Sequence, residues 1–284
     1  MPSNPSRRDA LRLGGGVLTL LAGCTTDSNR QTDPATTTGT TMTDSKATTT
    51  TSDGTTTAAT DATVTNVETT PALLVMNSPD STGTYGERDE QFVIVTVESD
   101  GSLPDRDEFT LEADGTSYVQ PSVRDRWVQG DGYSVVPDNH LSFSVPKPLD
   151  ATGVSLRWKD DTYWIGKTAL RTLRRPPTDF SVEASAPKPV TESDDVTLTL
   201  TVENTGEVAG TFVGALNRSG PNVAYTPVTA VSFEIEAGES TTWSHSYETD
   251  DYVAEDELTM TYHLDWRDGS RSRTIRIESD SEQN

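Results

Sequence analysis

From residue 62 onward, apolar and polar residues alternate along the chain. Phe92-Val-Ile-Val-Thr-Val97 is a dense run of β-formers and predicts a central strand. Leu141, Phe143 and Val145 alternate with Ser142 and Ser144, and Val154, Leu156 and Trp158 with Ser155 and Arg157. Val196, Leu198, Leu200 and Val202 alternate with threonines, Val231, Phe233 and Ile235 with Ser232 and Glu234. Leu258, Met260, Tyr262, Leu264 and Trp266 repeat the pattern, and Ile275 and Ile277 close it. A period of two sends one row of side chains into a core and the other to water, as antiparallel sandwiches require. Asp100-Gly101, Asp114-Gly115, Asp131-Gly132, Ala237-Gly238 and Asp268-Gly269 punctuate the runs, and the last, between two strands, predicts a hairpin. One helix is expected, over Thr168 to Arg175, where Leu170 and Leu173 are three apart. The fold class is all-β. Arg175-Pro176-Pro177 stops sheet pairing, so the reading is two tandem β-sandwiches, 62–176 and 178–279, each near the ~100 residues of an immunoglobulin-like domain. The five tryptophans, Trp127, Trp158, Trp164, Trp243 and Trp266, are expected to be the largest core contributors.

Before residue 62 the pattern fails. Thr25 to Asp61 contains no Leu, Ile, Val or aromatic residue. Such a segment cannot bury enough surface to offset ordering, so 24–61 is expected to be a disordered Thr/Asp-rich tether. A coil of about 37 residues has an average span of roughly 30–35 Å. Residues 1–23 differ again. Arg7, Arg8 and Arg12 precede a short apolar run, Leu13 to Leu21, which ends in Leu21-Ala22-Gly23-Cys24. A basic start, a short apolar middle and a small-residue end describe a cleavable export signal, and the run is about half the ~20 residues a membrane-spanning helix needs.

The formal charge of −23, from 22 Lys+Arg against 45 Asp+Glu, changes the picture. It argues against a general binder of the nucleic-acid backbone, itself a polyanion. It also predicts dependence on salt, because carboxylate repulsion is screened at high ionic strength and returns in dilute buffer. Cys24 is the only cysteine, which excludes an intrachain disulfide framework, a zinc ribbon and a thiolate copper site.

Several of these stretches resemble known families. Leu21-Ala-Gly-Cys24 resembles a prokaryotic lipobox, which implies that the Cys24 sulfur carries a diacylglyceryl group and that Cys24 becomes the first residue after cleavage. Arg7-Arg8 followed by Leu11 and Arg12 resembles a twin-arginine export signal. Many acidic residues, few lysines and much threonine resemble proteins of extreme halophiles. Val196-Thr-Leu-Thr-Leu-Thr-Val-Glu-Asn-Thr-Gly206, with Ile235-Glu-Ala-Gly-Glu-Ser-Thr-Thr-Trp243, is similar to cell-adhesion-related (CARDB-type) Ig-like domains. Glu90 to Val97 with Phe109 to Gly115 and Leu141 to Pro146 is similar to telokin-like Ig domains of prokaryotic lipoproteins, with Glu98-Ser99 where an Asn usually follows the strand. These resemblances imply folds and surface display, and no catalytic residue.

Residues able to carry chemistry are few. His245 shares parity with Trp243 and Tyr247, and His263 lies opposite to Tyr262 and Leu264, so the two should not meet, while His140 lies in the other sandwich. No metal site is expected from them. Asp105, Asp107 and Glu108, or Asp194 and Asp195, have the chemistry of a calcium loop, but such clusters arise freely among 45 acids. Tyr163 and Trp164 with Trp127 and Tyr133 offer stacking surfaces for a sugar, against the plainer role of core packing. Lys167, Arg171, Arg174 and Arg175 form a basic cluster suited to pairing with the neighbouring sandwich or with anionic lipid. Asn217-Arg218-Ser219 is an N-glycosylation sequon, making Asn217 the expected acceptor. No Gly-x-Ser-x-Gly elbow and no phosphate loop occurs, and no cofactor is implied.

The sequence therefore reads as a non-enzymatic lipoprotein on the outer face of the cell membrane. The expected partners are the membrane, through the lipid anchor, and an extracellular protein or glycan, with no nucleic acid. The alternative is an extracytoplasmic enzyme or protease-inhibitor-like accessory lipoprotein whose site is built from loops.

Overall fold

The structure, a computed structural model, describes residues 54–56, 62–130, 134–186, 190–191, 195–221, 223–247 and 258–278. Cys24, Arg7 and Arg8 lie outside the described residues, as does most of the expected tether.

The first half carries β1 (Thr55–Thr56), β2 (Thr63–Thr70), β3 (Leu73–Ser78), β4 (Ser81–Tyr85), β5 (Glu90–Glu98), β6 (Thr110–Ala113) and β7 (Thr116–Tyr118). It continues with β8 (Val128–Gln129), β9 (Ser134–Val135), β10 (His140–Pro146), β11 (Val154–Trp158), β12 (Asp161–Trp164) and the helix α1 (Lys167–Leu173). The second half carries β13 (Phe180–Ser185), β14 (Val190–Thr191), β15 (Val196–Asn204) and β16 (Gly210–Ser219). Then follow β17 (Thr226–Ile235), β18 (Ser240–Tyr247), β19 (Leu258–Trp266) and β20 (Gly269–Glu278). The all-β reading holds.

The two halves repeat one topology. In the first, a three-stranded sheet β2-β5-β10 faces a five-stranded sheet β1-β12-β11-β6-β7; in the second, β13-β15-β18 faces β14-β20-β19-β16-β17. Leaving aside the hairpins β3–β4 and β8–β9, the equivalent strands occupy equivalent places. One sheet holds the first, second and fifth core strands, and the other holds the rest with a short extra strand at its edge. That is an immunoglobulin-like arrangement. The extra edge strand differs: β1 precedes β2 and runs antiparallel to β12, whereas β14 follows β13 and runs parallel to β20.

The alternation seen in the sequence selects these faces. On β15, Val196, Leu198, Leu200 and Val202 are buried while the threonines between them are half-buried. They pack with Phe212, Phe233, Tyr262 and Ile275 into the second core. In the first sandwich, Val93, Val95 and Val97 of β5 meet Leu111, Leu156 and Trp158 of the facing sheet. α1 lies over the end of this core and buries Ala169 and Leu173.

β5 is buried on both faces, which accounts for its unbroken apolar run. Phe92 and Ile94, of opposite parity to the valines, enter a third cluster with Leu73, Val75, Val123, Trp127 and Val136. This cluster covers the outer face of the three-stranded sheet, so Ser142 of β10, opposite Ile94, is buried there too. The expectation that every strand keeps a wet face fails at this sheet.

The hairpin β3–β4 has a second contact. β4 also packs on β16 and β19 of the second sandwich. Val213, Ala215 and Asn217, opposite in parity to the core-facing Phe212 and Leu216, are buried as well. One hairpin thus covers an outer face of each sandwich. The described residues form one compact unit.

Two further expectations change. Thr55–Thr56, inside the predicted tether, pair with Trp164 and Tyr163 as the edge strand β1. A Cβ on Gly54 would stand 2.0 Å from the Tyr163 ring, so the chain reaches this edge only with glycine there. The tryptophans do not all enter a core: Trp164 is 51% exposed on β12.

Candidate functional site

A concavity among the described residues lies where the two sandwiches meet. Its wall takes Thr70 from the end of β2, Gln91 from β5, Lys147 just past β10, Arg175 just past α1, Phe180 from β13 and Arg267 from the β19–β20 turn. Three cations line it and no carboxylate does, in a chain with 45 acidic residues. The space available to solvent is about 30 Å³, room for one or two water-sized species.

Gln91 and Lys147 are held in place by backbone carbonyls. Gln91 is buried, and its Nε2 donates to the carbonyls of Pro146 (2.7 Å) and Leu173 (2.8 Å). Those two bonds fix the amide so that Oε1 faces Lys147, whose Nζ donates to it at 3.2 Å. The Lys147 backbone N–H donates to the Asp89 carbonyl at 2.7 Å, which sets where its side chain begins. Burial, then repulsion from Arg267 and Arg175, pulls the Lys147 ammonium down to about 8.

Arg175 reaches across to the second sandwich, its Nη1 2.6 Å from Glu234 Oε1, with both side chains about one-third exposed. Arg267 uses Nη2 on Asp268 at 2.9 Å. Its side chain is only 10% exposed, and its Nη1 is buried with no hydrogen-bond partner among the described residues. Outside the cleft, Asp179 accepts a hydrogen bond from Arg88, which holds the carboxyl below its usual range, with Arg267 adding to the effect.

A second polar centre lies on the docking face. Asn217 is 1% exposed, and its Oδ1 accepts from the Thr82 N–H (2.9 Å) and hydroxyl (3.2 Å). Its Nδ2 donates to the Thr82 carbonyl at 2.9 Å. The sequon expectation is corrected here: in the folded chain Nδ2 is committed and enclosed, with no room for a glycan. The sequon carries no sign of this, because the hairpin that buries Asn217 comes from residues 135 positions away.

The other sequence candidates do not converge. Trp127 and Tyr163 enter separate cores and Trp164 is exposed, so these three described residues form no joint stacking face, and Tyr133 lies outside the described residues. His245 stacks on Trp243 at 5.9 Å on the inward row of β18, where burial lowers its pKa. His263 sits on the opposite face of its sheet from Tyr262, with Nε2 2.9 Å from Ser219 Oγ and Nδ1 3.1 Å from Ser272 Oγ. His140 lies beside Asn139 in the first sandwich. Asp105 and Glu108 cap the short 3-10 helix Arg106–Glu108. Asp194 lies outside the described residues. Among the described residues no group of three or more His, Cys, Asp or Glu could hold a metal ion. The basic cluster divides: Arg175 pairs with Glu234, Arg174 donates to the Ala151 carbonyl of its own sandwich (2.8 Å), and Lys167 and Arg171 are exposed.

Sequence reasoning missed the cleft because Gln91, Lys147 and Arg267 are isolated in sequence. The one signal was the scarcity of lysine, which makes a half-enclosed Lys147 unusual.

No protein-family model and no curated protein matches the chain. Solved structures with partial likeness include a β-glucosidase from Listeria innocua in complex with isofagomine, 11% identical, TM-score 0.30. The likeness spans 35% of this chain and 16% of that one. A β-glucosidase from Erythrobacter marinus is 17% identical over 36% of this chain and 16% of its own, TM-score 0.30. A CARDB domain of a Pyrococcus furiosus protein, in complex with di-metal ions, is 12% identical over 36% of this chain and 89% of its own, TM-score 0.28. The chain thus spans about one-sixth of the β-glucosidases it matches. The immunoglobulin-like reading rests on its own strand order. No helix among the described residues is long and apolar enough to cross a membrane.

Proposed function

We propose that this chain is a non-enzymatic surface lipoprotein, moored by Cys24 to the outer face of the cell membrane and presenting two fused Ig-like sandwiches to an extracellular protein or glycan. The observation that carries this reading is the combination of a lipobox-like Leu21-Ala-Gly-Cys24 with a body in which one hairpin covers both sandwiches. Two acyl chains hold a protein at a bilayer far better than one, since each buried CH₂ contributes ~0.8 kcal/mol. The Thr-rich segment after Cys24 supplies reach, and the clamped body supplies a fixed orientation between two all-β modules. Half-exposed Trp164, beside the edge strand β1, is the large aromatic that a partner would meet first.

The experiment is fractionation of cells producing the wild type or Cys24→Ser, with all buffers at molar salt. The wild type is expected in the membrane fraction and Cys24→Ser in the soluble or secreted fraction with its body intact. Equal membrane retention of both forms would overturn the anchor.

A further inference from the structure

We propose that the cleft walled by Lys147, Arg175 and Arg267 is a binding site for a chloride-sized monovalent anion. Arg267 is the main reason. Its side chain is nine-tenths buried, Nη2 is spent on Asp268, and Nη1 has no partner among the described residues. A buried guanidinium donor without an acceptor is costly, and a charged donor more so. Lys147 adds to the argument: the partner on its Nζ is the neutral Oε1 of Gln91, and an ammonium has three donors. Gln91 cannot rotate to offer more, because its amide nitrogen is tied to two carbonyls.

The charge of the surroundings selects the ligand. Glu234, Asp268 and Asp179 lie outside the cleft wall and pair with Arg175, Arg267 and Arg88 respectively. The wall keeps three positive groups, with threonine and glutamine as its polar lining. Desolvated like charges repel, and one small anion between them turns that repulsion into attraction. Burial first, and then repulsion from Arg267 and Arg175, holds the Lys147 ammonium below its ordinary range. A space of about 30 Å³ has room for one small ion.

The site also fits the position of the cleft. Lys147 and Gln91 belong to the first sandwich, Arg267 and Phe180 to the second. An anion bridging Lys147 and Arg267 would join the sandwiches at a place separate from the Thr82–Asn217 contact. Binding to the folded form alone raises stability with ligand concentration.

The test uses chloride itself, in the mature protein at constant sodium. ³⁵Cl NMR linewidths would be compared for the wild type, Lys147→Met, Arg267→Met and the double variant. The wild type is expected to broaden the chloride signal, each single variant to lose at least half of the excess, and the double variant all of it. Thermal midpoints supply a second reading: the wild type should melt several degrees higher in sodium chloride than in sodium gluconate, whose anion is far larger than chloride. That difference should shrink in Lys147→Met. Equal linewidths for wild type and folded variants, or equal wild-type midpoints in the two salts, would overturn the proposal.

Discussion

Asn217 and Thr82, 135 residues apart, close three hydrogen bonds in a place where both are buried. The Asn217 side chain satisfies both the N–H and the C=O of Thr82 where β4 meets β16. The same hairpin seals the Phe92–Ile94 face of the first sandwich. The backbone bond from Ala230 N–H to the Gly130 carbonyl, 2.8 Å, is a further tie between the halves.

Asn217→Ala should therefore lower stability by about 1–3 kcal/mol, the cost of stranding buried backbone partners. It should also raise the radius of gyration in small-angle scattering. Arg175→Gln, which removes an exposed pair, should cost under ~1 kcal/mol and leave scattering unchanged. The reverse ranking would mean that the surface ion pairs, not the hairpin, hold the sandwiches together.

The strands were legible in the sequence and the hairpin was not, for a physical reason. β15, and β19 from Thr259 on, have one buried row each, so alternation marks them. β3 and β4 read as a short apolar run followed by Ser-Thr-Gly-Thr-Tyr, and their burial comes from two distant sheets rather than from their own pattern. Asn204 shows the opposite case. The Asn-Thr-Gly after the β15 valines is a fold signature in the sequence, and the structure supplies its cause. Asn204 is fully buried and its Nδ2 donates to the carbonyls of Val208 and Ile235, both at 2.8 Å, while Oδ1 accepts from Gly206 N–H at 2.9 Å. The cleft stayed invisible because Lys147 and Arg267 are single residues in the sequence, brought beside Arg175 by docking.

Lys147 gives a pH dependence with a definite sign. Its folded pKa of about 8 lies below the ordinary lysine value of 10.5, so between these values the unfolded chain binds more protons. Stability must then rise with pH across that window, by up to about 3 kcal/mol for this group without a bound anion. In a salt whose anion cannot enter the cleft, denaturation midpoints of the wild type should climb from pH 8 to 10 relative to Lys147→Met. Parallel profiles would show that Lys147 is not buried as a cation.

Gly54 controls the edge strand β1. Its substitution by Val puts a Cβ into the Tyr163 ring and should detach Thr55–Thr56 from β12. Hydrogen exchange at Trp164 should then accelerate at least tenfold, with little change in the second sandwich. Unchanged exchange would show that β1 does not protect this edge.

Salt tests the acidic surface. With a charge of −23, carboxylate repulsion should lower the melting midpoint steadily as salt falls from molar to millimolar. Circular dichroism melts check this, and a flat midpoint would remove the halophile reading.

Intact-mass spectrometry of the protein extracted from its own cell membranes tests the account at its root. The expected species begins at Cys24 and carries the added mass of a diacylglyceryl group. A chain retaining residues 1–23, or one beginning at Cys24 with a free thiol, would contradict it.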